Sequence, residues 1–236
     1  MPIIVTEFPK SGGSWIVSMM ADALQVPARD IYVRPGFDLF NVKKHPWYKE
    51  ADIFDFPNSS VIKSHELPLS SLMISGDVTY VHLVRDGRDV VVSKFFFDRD
   101  FCVTNEITSS FEKNFDDYVE ETALEWARYV SAWANQNVLT VKYENFLADP
   151  IEELRNLLDA VAKVRMDREH LEHVVARFSK EKFSESLSHV FQHNTFVRKG
   201  IVGDWKNYFS ATNMTAFKSV AGDALVAYKY EKDAGW

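Results

Sequence analysis

A chain of 236 residues with 46% hydrophobic and 26% charged residues has globular proportions and suits one α/β domain, residues 1–236, with a substantial core. Its net charge of −7 argues against a nucleic-acid partner, so any anion site must come from local placement of lysine and arginine. Cys102 is the only cysteine, which excludes an intrachain disulfide and points to the cytoplasm; "MPIIVTEF" has no basic leader and the uncharged run from Ser11 to Ala21 is too short to span a bilayer, so a soluble protein with no membrane partner is expected.

The apolar run "IIVTEF" (3–8), bounded by Pro9, predicts a buried first strand. A loop of Pro, Lys, Ser and two Gly leads into "SWIVSMMADALQV" (14–26), where Trp15, Met19, Ala23 and Val26 recur at helical spacing and Ser14 is the expected N-cap. "SSVIKSH" (59–65) and "VTYVHLV" (78–84) predict two further strands, and "DGRDVVVSKFFF" (86–97) turns directly into a helix. Residues 116–136 predict a long amphipathic helix carrying Trp126 and Trp133, and "NVLTVKYENF" (137–146) predicts a fourth strand. Helices follow at 150–163 and 167–178, a polar loop at 179–204, and a last helix at 211–230. Strands alternating with helices predict a central parallel sheet covered on both faces. Ligands bind such sheets beyond the carboxyl ends of the strands, where the loop of residues 9–14 falls.

That loop has the chemistry of an anion cradle. A strand that stops at Pro9 and re-enters a helix near Ser14 points backbone N–H groups at one spot, and the helix dipole favours negative charge there. Gly12 and Gly13 permit close approach of the main chain, Lys10 adds a full charge, and Ser11 and Ser14 add hydroxyl donors. A tight turn with an exposed lysine would read the same way. The nucleotide-triphosphate pattern G-x-x-x-x-G-K-[ST] is absent, because here the lysine precedes the glycines and no Ser or Thr follows a loop lysine in the position that would hold magnesium. Two later segments carry cations at corresponding places. "TYVHLVRDGRDVVVSKFFF" (79–97) has Arg85 at a strand's carboxyl end and Ser93 two helical turns on, and "FVRKGIVGDWKNYF" (196–209) has Arg198 and Lys199 before two glycines. Taken singly, these could be a surface ion pair, a packing serine and a solvated turn.

Together, "FPKSGGSW", "YVHLVRDGRDVVVS" and "RKGIVGDWKNYFS", with "IKSHELP" between the first two, resemble the signature segments of the cytosolic-type sulfotransferase family, in family order across residues 8–210. The resemblance implies a P-loop NTPase-like sulfotransferase fold. It also implies transfer of a sulfuryl group from 3′-phosphoadenosine 5′-phosphosulfate (PAPS) to a hydroxyl or amine of a small-molecule acceptor, without a metal. By position, Lys10, Ser11, Gly12, Gly13, Ser14 and Trp15 would hold the 5′-phosphosulfate, with Lys10 at the bridging oxygen and Trp15 against the adenine. Arg85, Ser93, Arg198, Lys199 and Gly200 would grip the 3′-phosphate, and Tyr143 and Phe183 would lie at the base.

Sulfuryl transfer calls for in-line positioning and neutralisation of charge on the leaving group. The resemblance gives that task to Lys10 and Lys63 and makes His65 the base, with Glu66 as its rival. The remaining histidines, including His170 and His173, read as structural or surface residues. The acceptor pocket is expected beside His65, walled by residues 28–50, by Phe95 to Phe97 and by residues 184–196. Phe37, Phe40, Trp47 and Tyr48 make an aromatic acceptor attractive.

The chain departs from the family in two places. Its first loop reads G-G-S-W where many members have G-T-T-W or G-T-S-W. Ser210-Ala211 stands where animal members carry the Thr-Val of a small dimer contact, so a monomer, or a dimer that does not use that contact, is expected. The competing readings are a P-loop phosphotransferase using ATP and a catalytically silent nucleotide-binding protein.

Overall fold

The five strands among the described residues are short, and all are parallel. A computed structural model describes residues 2–31, 59–68, 78–188, 196–233 and 235–236. Phe37, Phe40, Trp47 and Tyr48, and most of the two outer walls expected for the acceptor pocket, lie outside the described residues, as do His45, His189 and His193. The strands are β1 (Ile3–Glu7), β2 (Ala28–Ile31), β3 (Val61–Ser64), β4 (Thr79–Val84) and β5 (Leu139–Lys142), in the order β2-β3-β1-β4-β5. After β3 the chain passes over β1 to reach β4, so loops leave the sheet in opposite directions beside β1, the place where such sheets open a crevice. The register is level: Thr6 pairs with Ser64 and with His82, and Glu7 with Leu83. His65 follows Ser64, Arg85 follows Val84 and Lys10 comes three residues after Glu7, so all three leave the carboxyl ends of adjacent strands.

All five residues of β1 are buried, as a central strand covered on both faces requires. On one face Ile3, Val5, Val61, Val81 and Leu83 pack against α1 (Gly13–Leu24), α5 (Pro150–Ala162) and α6 (Arg168–Arg177). The other face meets α2 (Gly87–Phe96), α3 (Phe115–Ala134) and α8 (Ala211–Ala227), where Trp126, Trp133 and Phe217 are fully buried. His82 is buried in that layer, stacked on Trp133 at 5.9 Å. Side-chain caps set several of these helices: Asn114 for α3, Asp149 followed by Pro150 for α5, Asp167 for α6, and a Ser210–Asn213 capping box for α8.

Four expectations need correction. Ser14 does not cap α1; Gly12 occupies that position in a left-handed conformation, and the Ser14 hydroxyl accepts a hydrogen bond from Lys63 instead. Strand 137–146 stops at Lys142, and α4 (Tyr143–Ala148) follows, burying Tyr143 and Phe146 at i, i+3 spacing. Part of the 179–204 loop is α7 (Lys180–Ser188), whose Phe183 and Leu187, at i, i+4, pack with Phe101 and Cys102 in a small third cluster. Strand β2 was not expected at all, because "ARDI" at a sheet edge has no apolar alternation. Beyond α2 the helix widens into a π-helical turn, Phe97–Cys102, with Phe97 and Phe101 stacked at 4.9 Å. Such turns often mark functional sites.

Candidate active site

Beyond the carboxyl ends of β1, β3 and β4 lies a cavity of about 880 Å³. Every catalytic and donor-binding residue expected from the sequence lines it except Ser11, whereas of the expected acceptor wall Phe95 to Phe97 only Phe97 does, Phe95 being buried in the core with Phe96 packed against it. Ser11 is buried just behind the wall, its hydroxyl without a partner among the described residues.

At the first loop, the Gly12 conformation (φ 101°) brings the backbone onto the Tyr143 ring. A β-carbon there would lie 2.5 Å from the ring. The Ser11 N–H closes the turn onto the Phe8 carbonyl, and the Gly13 N–H is donated to the Glu7 carboxylate. Lys10 also sits at positive φ (73°), a conformation that costs a lysine energy and that its surroundings hold in place. Its carbonyl accepts from the Arg85 guanidinium at 3.0 Å. Its ammonium donates to the Phe196 carbonyl at 3.2 Å and lies 4.0 Å from the ring centres of both Phe97 and Phe196. Burial pulls the Lys10 pKa down to about 7; Glu7 opposes the fall, while Lys63 and Arg85 add to it.

Lys63, from β3, is buried and donates to the Ser14 hydroxyl at 2.9 Å, which ties the third strand to the loop. Two residues on, His65 Nδ1 lies 2.9 Å from the Glu7 carbonyl. A carbonyl only accepts, so Nδ1 carries the proton and Nε2 is the basic nitrogen. Burial, reinforced by the nearby Lys63 charge, pushes the His65 pKa down to about 3, so the ring is neutral at physiological pH. Glu66 is buried at the same wall, and its carbonyl accepts from the Trp133 indole.

A second cationic cup faces this one. Arg85 spans from the Lys10 carbonyl to the Ile201 carbonyl and lies over the Tyr143 ring at 4.6 Å. Ser93 reaches the same cavity from α2. Arg198 donates to Asp204 and to the Tyr208 hydroxyl, and so does Lys199. Burial would raise the Asp204 carboxyl, yet hydrogen bonds from Lys199, Arg198 and Asn207 outweigh it and hold the pKa at about 2. The Nε atoms of Arg85 and Arg198 are buried without partners among the described residues. These orphaned donors, with the Ser11 hydroxyl, suit an anionic ligand with charge at two ends.

Between the cups, Trp15 donates its indole N–H to the Phe178 carbonyl at 2.8 Å and meets Tyr143 edge-on at 6.2 Å. Phe183, Leu147 and Lys180 complete this flank. Sequence reasoning missed Lys180 and the Asp204 and Tyr208 partners of Arg198 and Lys199, whereas Phe97 and Phe196, expected as pocket walls, also flank the Lys10 ammonium. Asp86 is the N-cap of α2 and is paired with Arg88. Among the described residues no three His, Cys, Asp or Glu side chains gather as a metal site, and no helix is long and apolar enough to cross a membrane. His170 is held by the Ala23 carbonyl, and His173 is exposed.

Comparison with known proteins agrees with this arrangement. The sulfotransferase domain family model matches residues 2–229. Mouse sulfotransferase 1B1 is 26% identical over 252 residues, spanning 92% of this chain and 80% of that protein. Among solved structures, mouse sulfotransferase SULT7A1 complexed with PAP superposes with a TM-score of 0.71 at 18% identity, covering 98% of this chain and 89% of that one. Retinol dehydratase in complex with androsterone and PAP gives 0.69 at 18% identity, covering 95% and 80%.

Proposed function

The chain belongs to the sulfotransferase family, and on that premise we propose that it moves the sulfuryl group of PAPS to a hydroxyl or amine of a small-molecule acceptor, with His65 as the base. The observation that carries this reading is the convergence of Lys10, Lys63, His65, Arg85, Ser93 and Arg198 on one cavity. When bound, the donor supplies a sulfuryl group already activated by its bond to phosphate.

The chain's own residues divide the remaining work. The Gly12 and Ser14 amides and the Ser11 and Ser14 hydroxyls hold the 5′ end, aided by the positive end of the α1 dipole. Lys10 neutralises charge on the departing phosphate, and Lys63, already hydrogen-bonded to Ser14, does so at the transferring oxygens. Arg85, Ser93, Arg198, Lys199 and Gly200 bind the 3′-phosphate. Trp15, Tyr143 and Phe183 enclose the adenine. His65 takes the acceptor's proton at Nε2 while its Nδ1–H, donated to the Glu7 carbonyl, keeps the ring aimed. With its pKa lowered to about 3 by burial and the Lys63 charge, the ring is neutral at physiological pH and its Nε2 carries no proton. Glu66 lines the same wall and is the alternative base.

Apolar rings around the site, Phe8, Phe97, Phe111 and Tyr129, favour an acceptor with a hydrophobic or aromatic body. The androsterone bound by retinol dehydratase is of that kind. We further propose one domain over residues 1–236 acting in the cytoplasm. Ser210 serves there as a helix cap rather than in the animal-type dimer contact.

The test is a calorimetric comparison of 3′-phosphoadenosine 5′-phosphate (PAP) with ATP, followed by an acceptor screen with labelled PAPS. PAP should bind at least about tenfold more tightly, since the second cup has charged donors for a 3′-phosphate that ATP lacks. Preference for ATP would overturn the reading.

A further inference from the structure

Glu7 closes β1 beneath the loop and is only 2% exposed. A carboxylate so deep is unfavourable unless hydrogen bonds and opposite charge offset its lost hydration. Its Oε2 accepts the Gly13 N–H at 2.6 Å, at the first residue of α1, where the helix dipole favours an anion. A β-carbon on Gly13 would lie 2.4 Å from the Glu7 carboxyl carbon and Oε1. The carboxyl group thus fills the room that a threonine at position 13, as in G-T-T-W, would take. Gly13 and Glu7 are a matched pair.

The same residue meets both reactive groups. Its carbonyl accepts from His65 Nδ1 at 2.9 Å. Several groups face the Lys10 charge: Lys63 from β3 and Arg85 beyond β4 oppose it, while the Cys102 thiol on the π-helical turn, its pKa pushed up to about 12 by burial, stays neutral. Glu7 favours it most, and is the main influence set against burial. From α3, Tyr129 faces Glu7 and stays protonated, its pKa raised by burial and by that carboxylate.

We propose that Glu7 is a positioning residue for the transfer: its carboxylate, seated where Gly13 lacks a side chain, locks the anion loop and is the counter-charge of Lys10, while its carbonyl aims His65. This rests on the roles given to Lys10 and His65 above. Glu7 acts on the reaction through those two residues.

Glu7→Gln keeps the size and leaves an oxygen for the Gly13 N–H, but removes the charge. Two quantities are measured from pH 5.5 to 9: the calorimetric affinity for PAP and kcat/KM for transfer. In the native protein both should fall above a pH of about 7, as Lys10 loses its proton. In Glu7→Gln the fall should begin roughly one pH unit lower. The ionisation of the ligand's own phosphates is common to both and cancels in the comparison. Superimposable profiles would overturn the proposal.

The steric half is tested by melting. Gly13→Ala should lower Tm in the native background and lower it much less in a Glu7→Ala background, where the carboxyl that meets the new β-carbon is gone. Equal losses with and without Glu7 would overturn it. The double variant also lacks the carboxylate, so its pH profile must shift in the same direction even if Glu7→Gln is poorly folded. A native protein that binds no PAP at any pH would instead overturn the donor assignment, and the melting comparison would still decide whether Glu7 and Gly13 are coupled.

Discussion

The two cationic cups that face each other across the cavity are built on different principles. The first comes from one continuous segment, residues 9–15, joined by Lys63 and His65 from the neighbouring strand. Its central cation, Lys10, is held between two phenylalanine rings and against a carbonyl, with a pKa drawn down to about 7 by burial. The second is assembled from β4, α2 and a loop more than a hundred residues later, and there Asp204 already holds Arg198 and Lys199. A ligand entering the first cup relieves a destabilised charge. One entering the second must share or replace an existing carboxylate contact. The first cup is therefore suited to stabilising charge that develops during transfer, and the second to recognising which nucleotide has arrived.

If that division is right, substitutions in the two cups should fail differently. The largest effect is expected for His65→Ala, which should lower kcat by about 10²–10⁴-fold while PAP affinity measured by calorimetry stays near the native value. Lys10→Met should cost about 10²–10³-fold in kcat. A loss confined to KM in either variant would remove the catalytic role from the first cup. Arg198→Ala should instead weaken PAP by roughly tenfold or more while leaving ATP affinity almost unchanged, because it removes charged hydrogen bonds that only a 3′-phosphate uses. Equal weakening of both nucleotides would merge the two cups into one undifferentiated basic pocket.

Smaller effects concern pH. With the His65 pKa at about 3, kcat/KM should show no acid limb between pH 7 and 5, and a limb near 6.5 would contradict the lowered His65 pKa. Stability should nevertheless fall over that range. His82, buried and neutral with a pKa near 4 against an ordinary value of 6.5, binds a proton only after unfolding, so the unfolded state gains as pH drops below 6.5. The contribution reaches about 2 kcal/mol at pH 5. Denaturant titrations of His82→Phe at pH 7 and 5 should show this part of the acid sensitivity removed; undiminished sensitivity would contradict it. Asp204 works at lower pH. Its stabilising pairs persist above the ordinary carboxylate range and are lost as pH falls through about 2.

The same contrast explains what could be read without coordinates. The first cup was legible because its parts are adjacent and each residue type has a local reason to be there. Even so, Ser14 looked like a cap and proved to be the partner of Lys63, a contact spanning 49 positions that no local pattern reports. The second cup was legible as a set of cations but not as a balanced one, since Asp204 and Tyr208 read as ordinary residues of a polar loop. Strands β1, β3 and β4 showed as apolar runs because both of their faces are covered. The edge strand β2 carried no such signal, and α7 was hidden by its charged surface, although Phe183 and Leu187 already stood one helical turn apart. The role of Glu7 was invisible for the same reason as the Lys63 contact: a glutamate at the end of an apolar strand acquires meaning only when Gly13 folds back upon it.

The most direct test of the two-cup account is a crystal structure of the protein with PAP bound. The account predicts the 5′-phosphate against residues 10–14 and the 3′-phosphate within hydrogen-bonding distance of Arg85, Ser93 and Arg198. A nucleotide seated with its 3′-phosphate in solvent, or outside this cavity, would contradict it.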